Sequence, residues 1–149
     1  MDKKTDQKAL VIMDERFSHD TLLSLATMDG NRPAVRIVNS YYECGSFYTV
    51  TYALSNKMKQ INENPEVAIC GEWFTAHGIG ENFGYVRDEK NTEIISKLRA
   101  AFAEWYGNGH INEDDPNTCL LRVCLTDGIL FSNGIKYEIN FSAGGTGSV

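Results

Sequence analysis

Thr51, Ser55 and Lys57 stand in a T-x-x-x-S-x-K pattern, where a strand-like run gives way to helix-forming residues. Ser55 takes an N-cap position, and a helix N-terminus exposes free backbone N–H groups and a partial positive charge. A hydroxyl and an ammonium beside those groups complete a phosphate cradle. Lys57 sits poorly there otherwise, because a cation in the first turn opposes the helix dipole by a few tenths of a kcal/mol. The plainer alternative is a serine that only caps and a lysine that only meets solvent.

Arg36 lies inside the apolar run Ala34-Val35-Arg36-Ile37-Val38. If it faces a barrel interior or rim it needs an anionic partner, since an uncompensated buried guanidinium costs several kcal/mol; if it faces outward on an edge strand it needs none. Arg122 in Leu120-Leu121-Arg122-Val123-Cys124-Leu125 poses the same question. Trp73 with Phe74 offers either a core aromatic pair or a surface that stacks on a planar ligand or fills an interface. His77 and Tyr85 are proton donors with no visible nucleophile or carboxylate partner. The glycines of Gly78-Ile79-Gly80-Glu81-Asn82-Phe83-Gly84 do not link a strand to a helix as a dinucleotide fingerprint requires. Glu113-Asp114-Asp115 reads as a solvated acidic loop.

Composition narrows the partners. The chain has 149 residues, 42% of them hydrophobic, with 14 Lys and Arg against 20 Asp and Glu, a net charge of -6. No basic patch offers to neutralise a run of phosphates, which argues against nucleic acid. No apolar run nears the roughly 18 residues of a membrane span, and the N-terminus lacks a secretory signal pattern, so the expected site of action is the cytoplasm. Cys44, Cys70, Cys119 and Cys124 form no CxxC pair, and the last three sit in strand-like runs where a reduced thiol behaves as a small buried hydrophobe. His19, His77 and His110 have no metal-ligand spacing, and no metal site is expected.

Ala9, Leu10, Met13 and Phe17 recur at helical spacing over residues 5–17, with Thr5 or Asp6 as the cap. Strand-like runs follow at 21–28, 34–42 and 46–52, joined by turn signals at Asp29-Gly30-Asn31 and Glu43-Cys44-Gly45, which predicts an antiparallel meander. A short helix over 55–62 ends at Asn64-Pro65. Alternation over 66–76 predicts one strand, with a bend or bulge at Gly78, Gly80 and Gly84 before a further strand, Phe83 to Arg87. Ile94, Ile95, Leu98, Ala101, Phe102 and Trp105 form the apolar stripe of a helix that Gly107 or Gly109 can end. Two last strands, 118–127 and 128–141, would turn at Asp127-Gly128. The pattern is one domain over 1–141 and a flexible tail over 142–149, an α+β protein built on an antiparallel barrel with interposed helices.

Taken in order, the N-terminal helix, the strand Leu22 to Val38, and the stretch Ser46 to Trp73 with its T-x-x-x-S-x-K pattern and the following Gln60-Ile61-x-x-Asn64-Pro65-x-Val67 resemble the FMN-binding split β-barrel family related to pyridoxamine 5'-phosphate oxidase, especially its small general-stress-protein-like members. The resemblance covers most of residues 5–141. It implies an antiparallel split β-barrel in which Arg36, Thr51, Ser55 and Lys57 hold the FMN phosphate and ribityl chain, with Asn56 beside them. The backbone of Ile37, Val38, Asn39 and Val50 would lie along the flavin ring. It also implies a homodimer with FMN at the subunit interface, where Trp73 serves the partner's site. The true oxidases are longer, carry a C-terminal arginine segment that grips a substrate phosphate, and have an arginine where Asn56 stands here; these departures argue against pyridoxamine phosphate as the substrate. The expectation is an FMN-dependent oxidoreductase acting on an unidentified small molecule, with no side chain marked as a general acid or base. The alternative is a protein that stores, senses or carries flavin or haem without turnover. A barrel this small cannot enclose a flavin alone, and Tyr41-Tyr42 and Trp73-Phe74 are the candidate two-fold interface.

Overall fold

The computed structural model describes the backbone of residues 3–142 and the side chains from Gln7 onward. Apart from Ser142, the expected tail lies outside the described residues. Helix α1 (Lys3–Phe17) begins ahead of Thr5 and Asp6, which therefore sit within it rather than capping it. Its stripe works as the spacing predicts: Ala9, Met13 and Phe17 are fully buried and Leu10 packs against the same core. Phe17 reaches Phe47 and Phe74 with ring centroids 5.5 Å apart, which closes one end of the barrel with aromatic rings.

Strands β1 (Thr21–Asp29), β2 (Arg32–Glu43) and β3 (Ser46–Tyr52) form the expected antiparallel meander. Alternation puts Leu23, Leu25 and Thr27 of β1 inside and leaves Leu22 outside. Helix α2 (Asn56–Glu63) follows, capped by Ser55, whose hydroxyl accepts the Met58 N–H at 3.4 Å, and it buries Met58 and Ile61 under the barrel.

The residues 66–76 are two strands, not one. β4 (Glu66–Gly71) reverses at Glu72-Trp73 into β5 (Phe74–Tyr85), with Gly71 paired to Phe74. The turn escapes the sequence because its hinge is Trp73 in the left-handed region, φ 52°, rather than a glycine or asparagine. β5 then runs through the glycines without a break. The irregularity expected there takes the form of register shifts between His77 and Gly78 and between Asn82 and Tyr85, and no separate strand begins at Phe83.

After a single 3-10 turn (Glu89–Asn91), α3 (Thr92–Ala101) stops well before Gly107. Beyond it Phe102 stacks on Trp105 at 4.9 Å and the Trp105 indole donates to Asp20 at 2.9 Å, which ties this stretch to the start of β1 instead of extending the helix. Ile95, Leu98 and Phe102 make a second core with Val86 and Leu120 on the outside of the barrel.

β6 (Thr118–Ser132) passes straight through Asp127-Gly128 and turns into β7 (Ile135–Asn140) at Asn133-Gly134, both at positive φ. Gly128 marks a close approach rather than a turn: a Cβ there would lie 2.9 Å from a Phe74 ring carbon and 3.0 Å from the Thr75 carbonyl. The sheet order is β3-β2-β1-β4-β5-β6-β7, and pairing of β3 with β6 closes six of the strands into an antiparallel barrel. No helix among the described residues is long and apolar enough to cross a membrane.

Candidate functional site

The barrel is split between β2 and β3. These strands pair only at Tyr41 with Tyr48, Tyr42 with Phe47 and Glu43 with Ser46. Where the ladder ends, the Thr49 hydroxyl donates to the Asn39 carbonyl at 2.6 Å. Below that bond β2 pairs only with β1, over Arg32 to Ser40, and Val50 to Tyr52 of β3 pair only with β6. Each strand therefore presents an unpaired edge, a row of backbone donors and acceptors that a flat polar ligand can satisfy.

At the foot of the split, β1, β2, β3 and α2 bring five side chains together. Arg36 turns inward and donates to the Leu25 carbonyl (3.2 Å), the Thr27 hydroxyl (2.7 Å) and the Gln60 side-chain oxygen (3.0 Å). Thr27 donates to the same Gln60 oxygen at 2.6 Å, and Lys57 Nζ donates to the Thr51 hydroxyl at 2.5 Å. All of these acceptors are neutral. Among the described residues no carboxylate lies within ion-pair distance of Arg36 or Lys57. Burial lowers the pKa of both cations, and for Lys57 the positive charge of Arg36 lowers it further. Burial pushes the nearby Cys119 thiol up to about 11, so it supplies no thiolate near neutral pH. Two half-buried cations that repel each other and meet only neutral groups leave positive charge uncompensated, an arrangement that can accept an anion.

The structure thus gathers Arg36, Thr51 and Lys57, which the family resemblance groups, and brings Thr27 and Gln60 to them. Ser55 caps the helix beside them, and Asn56 is exposed. Val38 packs inward, Ile37 points outward, and the Asn39 amide is held by Asp20 at 3.0 Å. Val50 leans on the second core. Trp73 stands apart, 72% exposed on the turn at the other end of β4 from α2. Within one chain Tyr42 and Phe74 belong to the core and Tyr41 is partly buried against the second core, so of these four residues Trp73 is the exposed one.

Three polar readings change as well. His77, without a partner in the sequence, donates through Nδ1 to the Asp127 carboxylate at 3.0 Å across the β5–β6 ladder, and the Tyr85 hydroxyl donates to the Glu113 carbonyl. Glu113 is no solvated loop residue. Arg99 grips it through two bonds of 2.9 and 2.7 Å, Tyr106 donates to it, and together with Arg87 they hold its carboxyl down at about 2. Cys70, expected inside, is exposed, whereas Cys119 is buried as expected and Cys124 partly so. No group of three His, Cys, Asp or Glu side chains among the described residues is placed to hold a metal ion.

The family model described as pyridoxamine 5'-phosphate oxidase matches residues 13–129. General stress protein 26 of Bacillus subtilis is 26% identical over 138 residues, which span 90% of this chain and 93% of that protein. Among solved structures, a FAD-binding protein from Mesorhizobium loti superposes with a TM-score of 0.59 at 12% identity over 86% of this chain and 92% of that one. A heme binding protein from Mycobacterium smegmatis gives 0.67 at 11% identity over 96% of this chain and 60% of that one. At those identities the two structures speak for the fold alone.

Proposed function

Since the chain belongs to the pyridoxamine 5'-phosphate oxidase family, we propose that it is an FMN-dependent oxidoreductase whose flavin lies in the split between β2 and β3. The observation that carries this reading is the pairing of Arg36 and Lys57 with neutral groups only. The two cations take the flavin phosphate, and Thr51 and the Ser55-capped start of α2 add hydrogen-bond donors. Gln60 and Thr27 fix the Arg36 guanidinium so that its orientation does not depend on the ligand. The free edges of β2 at Ile37 to Asn39 and of β3 at Val50 offer backbone groups to the heteroatoms of the ring. Bound there, the cofactor supplies the electron transfer, while the chain sets its position and electrostatics.

On this reading two chains share the sites, since one barrel leaves the split open on its outer side. All four cysteines are free, in keeping with a reducing compartment such as the cytoplasm. Carriage of flavin or haem without turnover is the second reading, favoured by the fold shared with a heme binding protein. The absorbance spectrum of the purified protein, before and after addition of FMN, tests the cofactor: flavin bands support the first reading and a Soret band the second. A colourless protein that excess FMN fails to stabilise overturns both flavin readings, since ligand at about 100 times its Kd adds about 2.7 kcal/mol. Turnover with NADH, NADPH and common acceptors separates oxidoreductase from carrier.

A further inference from the structure

A groove of about 410 Å³ lies beside the last residues of β3. Val50 and Tyr52 line it together with His110, Ile111, Asp115 and Thr118 from the stretch that leads into β6. Thr51, whose hydroxyl accepts the Lys57 ammonium, also borders it, so the groove shares a residue with the phosphate cradle. Because successive strand residues point to opposite faces, Val50 and Tyr52 turn away from the cradle cations. The volume falls within the range of small-molecule pockets.

Its lining has a definite electrostatic character. It contains no Lys or Arg. The arginines near this stretch, Arg87 and Arg99, are already engaged by Glu113 and Asp114. Asp115 is the one carboxylate in the lining; one of its oxygens accepts the Asn117 N–H at 2.9 Å, and the other has no partner among the described residues. Tyr52, in the same lining, shows 43% of its surface and so offers an open aromatic face. A carboxylate and an open aromatic ring in one lining that carries no lysine or arginine attract a flat positively charged molecule more than an anion.

We propose that this groove is the substrate side of the flavin site and that it takes a planar organic cation, not a phosphorylated or carboxylate-bearing molecule. As a substrate pocket it rests on the flavin reading above; as a cation site it rests on the lining alone. The test uses the full chain, with and without FMN, and three probes of similar shape: benzylamine, benzyl alcohol and benzoate near neutral pH. Amide chemical shifts report where each binds and how tightly. Benzylamine is expected to move amides of residues 50–52 and 110–118 and to bind at least about fivefold more tightly than benzyl alcohol, with benzoate weakest. Asp115→Asn keeps an acceptor for the Asn117 N–H, and it should bring benzylamine to within about twofold of benzyl alcohol. Benzoate binding as well as benzylamine, shifts confined to other residues, or an unchanged ranking in Asp115→Asn each overturns the proposal. Failure of the flavin reading shows separately, as a chain that retains no FMN yet keeps the ranking.

Discussion

Lys57 donates to the Thr51 hydroxyl at 2.5 Å while its like-charged neighbour Arg36 lowers its pKa, so its hydrogen-bond partner gives it no charge compensation. A phosphate arriving between them converts repulsion into two charge-assisted bonds, each worth about 1.5–3 kcal/mol. Lys57→Ala and Arg36→Ala should therefore each weaken FMN by more than about tenfold. Riboflavin, which lacks the phosphate, should bind wild type and variants almost equally in fluorescence titrations. Equal losses for both ligands would mean that the substitutions act through the fold.

The same lysine gives the flavin-free protein a pH signature. A lowered pKa means that, below the usual value of 10.5, the folded chain binds fewer protons at Lys57 than the unfolded chain does. Stability contributed by this group therefore rises as pH climbs toward 10.5. Tyr42, whose burial raises its pKa to about 12, works in the opposite sense above about pH 10, which makes a variant the proper reference. Urea midpoints of wild type relative to Lys57→Met should rise over that alkaline window, and saturating FMN should abolish the difference in slope. A flat difference without FMN would show that Lys57 is not desolvated in solution.

The meander and the start of the cradle read directly from the sequence because their signals are local. Gly30 and Gly45 announce two turns, and Ser55 announces a cap within a few residues of Lys57 and Thr51. Gln60 and Thr27 do not read as site residues: they lie 33 positions apart, on a helix and a strand that meet only after the barrel closes. The two hairpin errors have a common cause. Asp127-Gly128 has turn chemistry but its glycine answers a packing demand from Phe74, whereas Trp73 has no turn chemistry and turns the chain anyway. His77 and Asp127, 50 residues apart, meet through strand register, which composition cannot show.

Two glycines separate packing from conformational freedom. Gly128→Ala drives a methyl against the Phe74 ring and the Thr75 backbone, and overpacking of this kind costs about 1–3 kcal/mol. Gly107 has no atom within 4 Å of an added Cβ and is not at positive φ. Gly107→Ala should be neutral or stabilising by up to about 1 kcal/mol through the unfolded chain. Chemical denaturation of both variants checks the contrast, and a tolerated alanine at 128 would contradict the close β5–β6 approach.

Glu113 should dominate acid sensitivity outside the cradle. Its carboxyl is held down to about 2 chiefly by the Arg99 hydrogen bonds, against burial that pushes the other way. A lowered carboxylate pKa contributes stability that is full above the usual 4.5 and is lost as pH falls toward about 2. Glu113→Gln should cost about 1.5–3 kcal/mol at neutral pH, the worth of hydrogen bonds to a charged group. It should also flatten the loss of stability between those two pH values in a series of urea melts. An unchanged acid profile would place the responsible carboxylate elsewhere.

Assembly follows from the outer face of β1 and β2. Leu22, Val35 and Ile37 are 63%, 68% and 69% exposed, and the strand register sets Val35 opposite Ala26 and Ile37 opposite Ser24. Small residues beside large apolar ones give a flat, adhesive patch that a monomer in water rarely leaves bare. A second copy related by a two-fold axis would cover it and could wall the open side of the split, with the exposed Trp73 of one chain available to the other's flavin. Light scattering during chromatography at micromolar concentration should give twice the mass of one chain. Ile37→Asp should shift it to a monomer and weaken FMN, and Trp73→Ala should weaken FMN without dissociating the pair. A wild-type monomer holding FMN stoichiometrically would show that one chain builds the whole site.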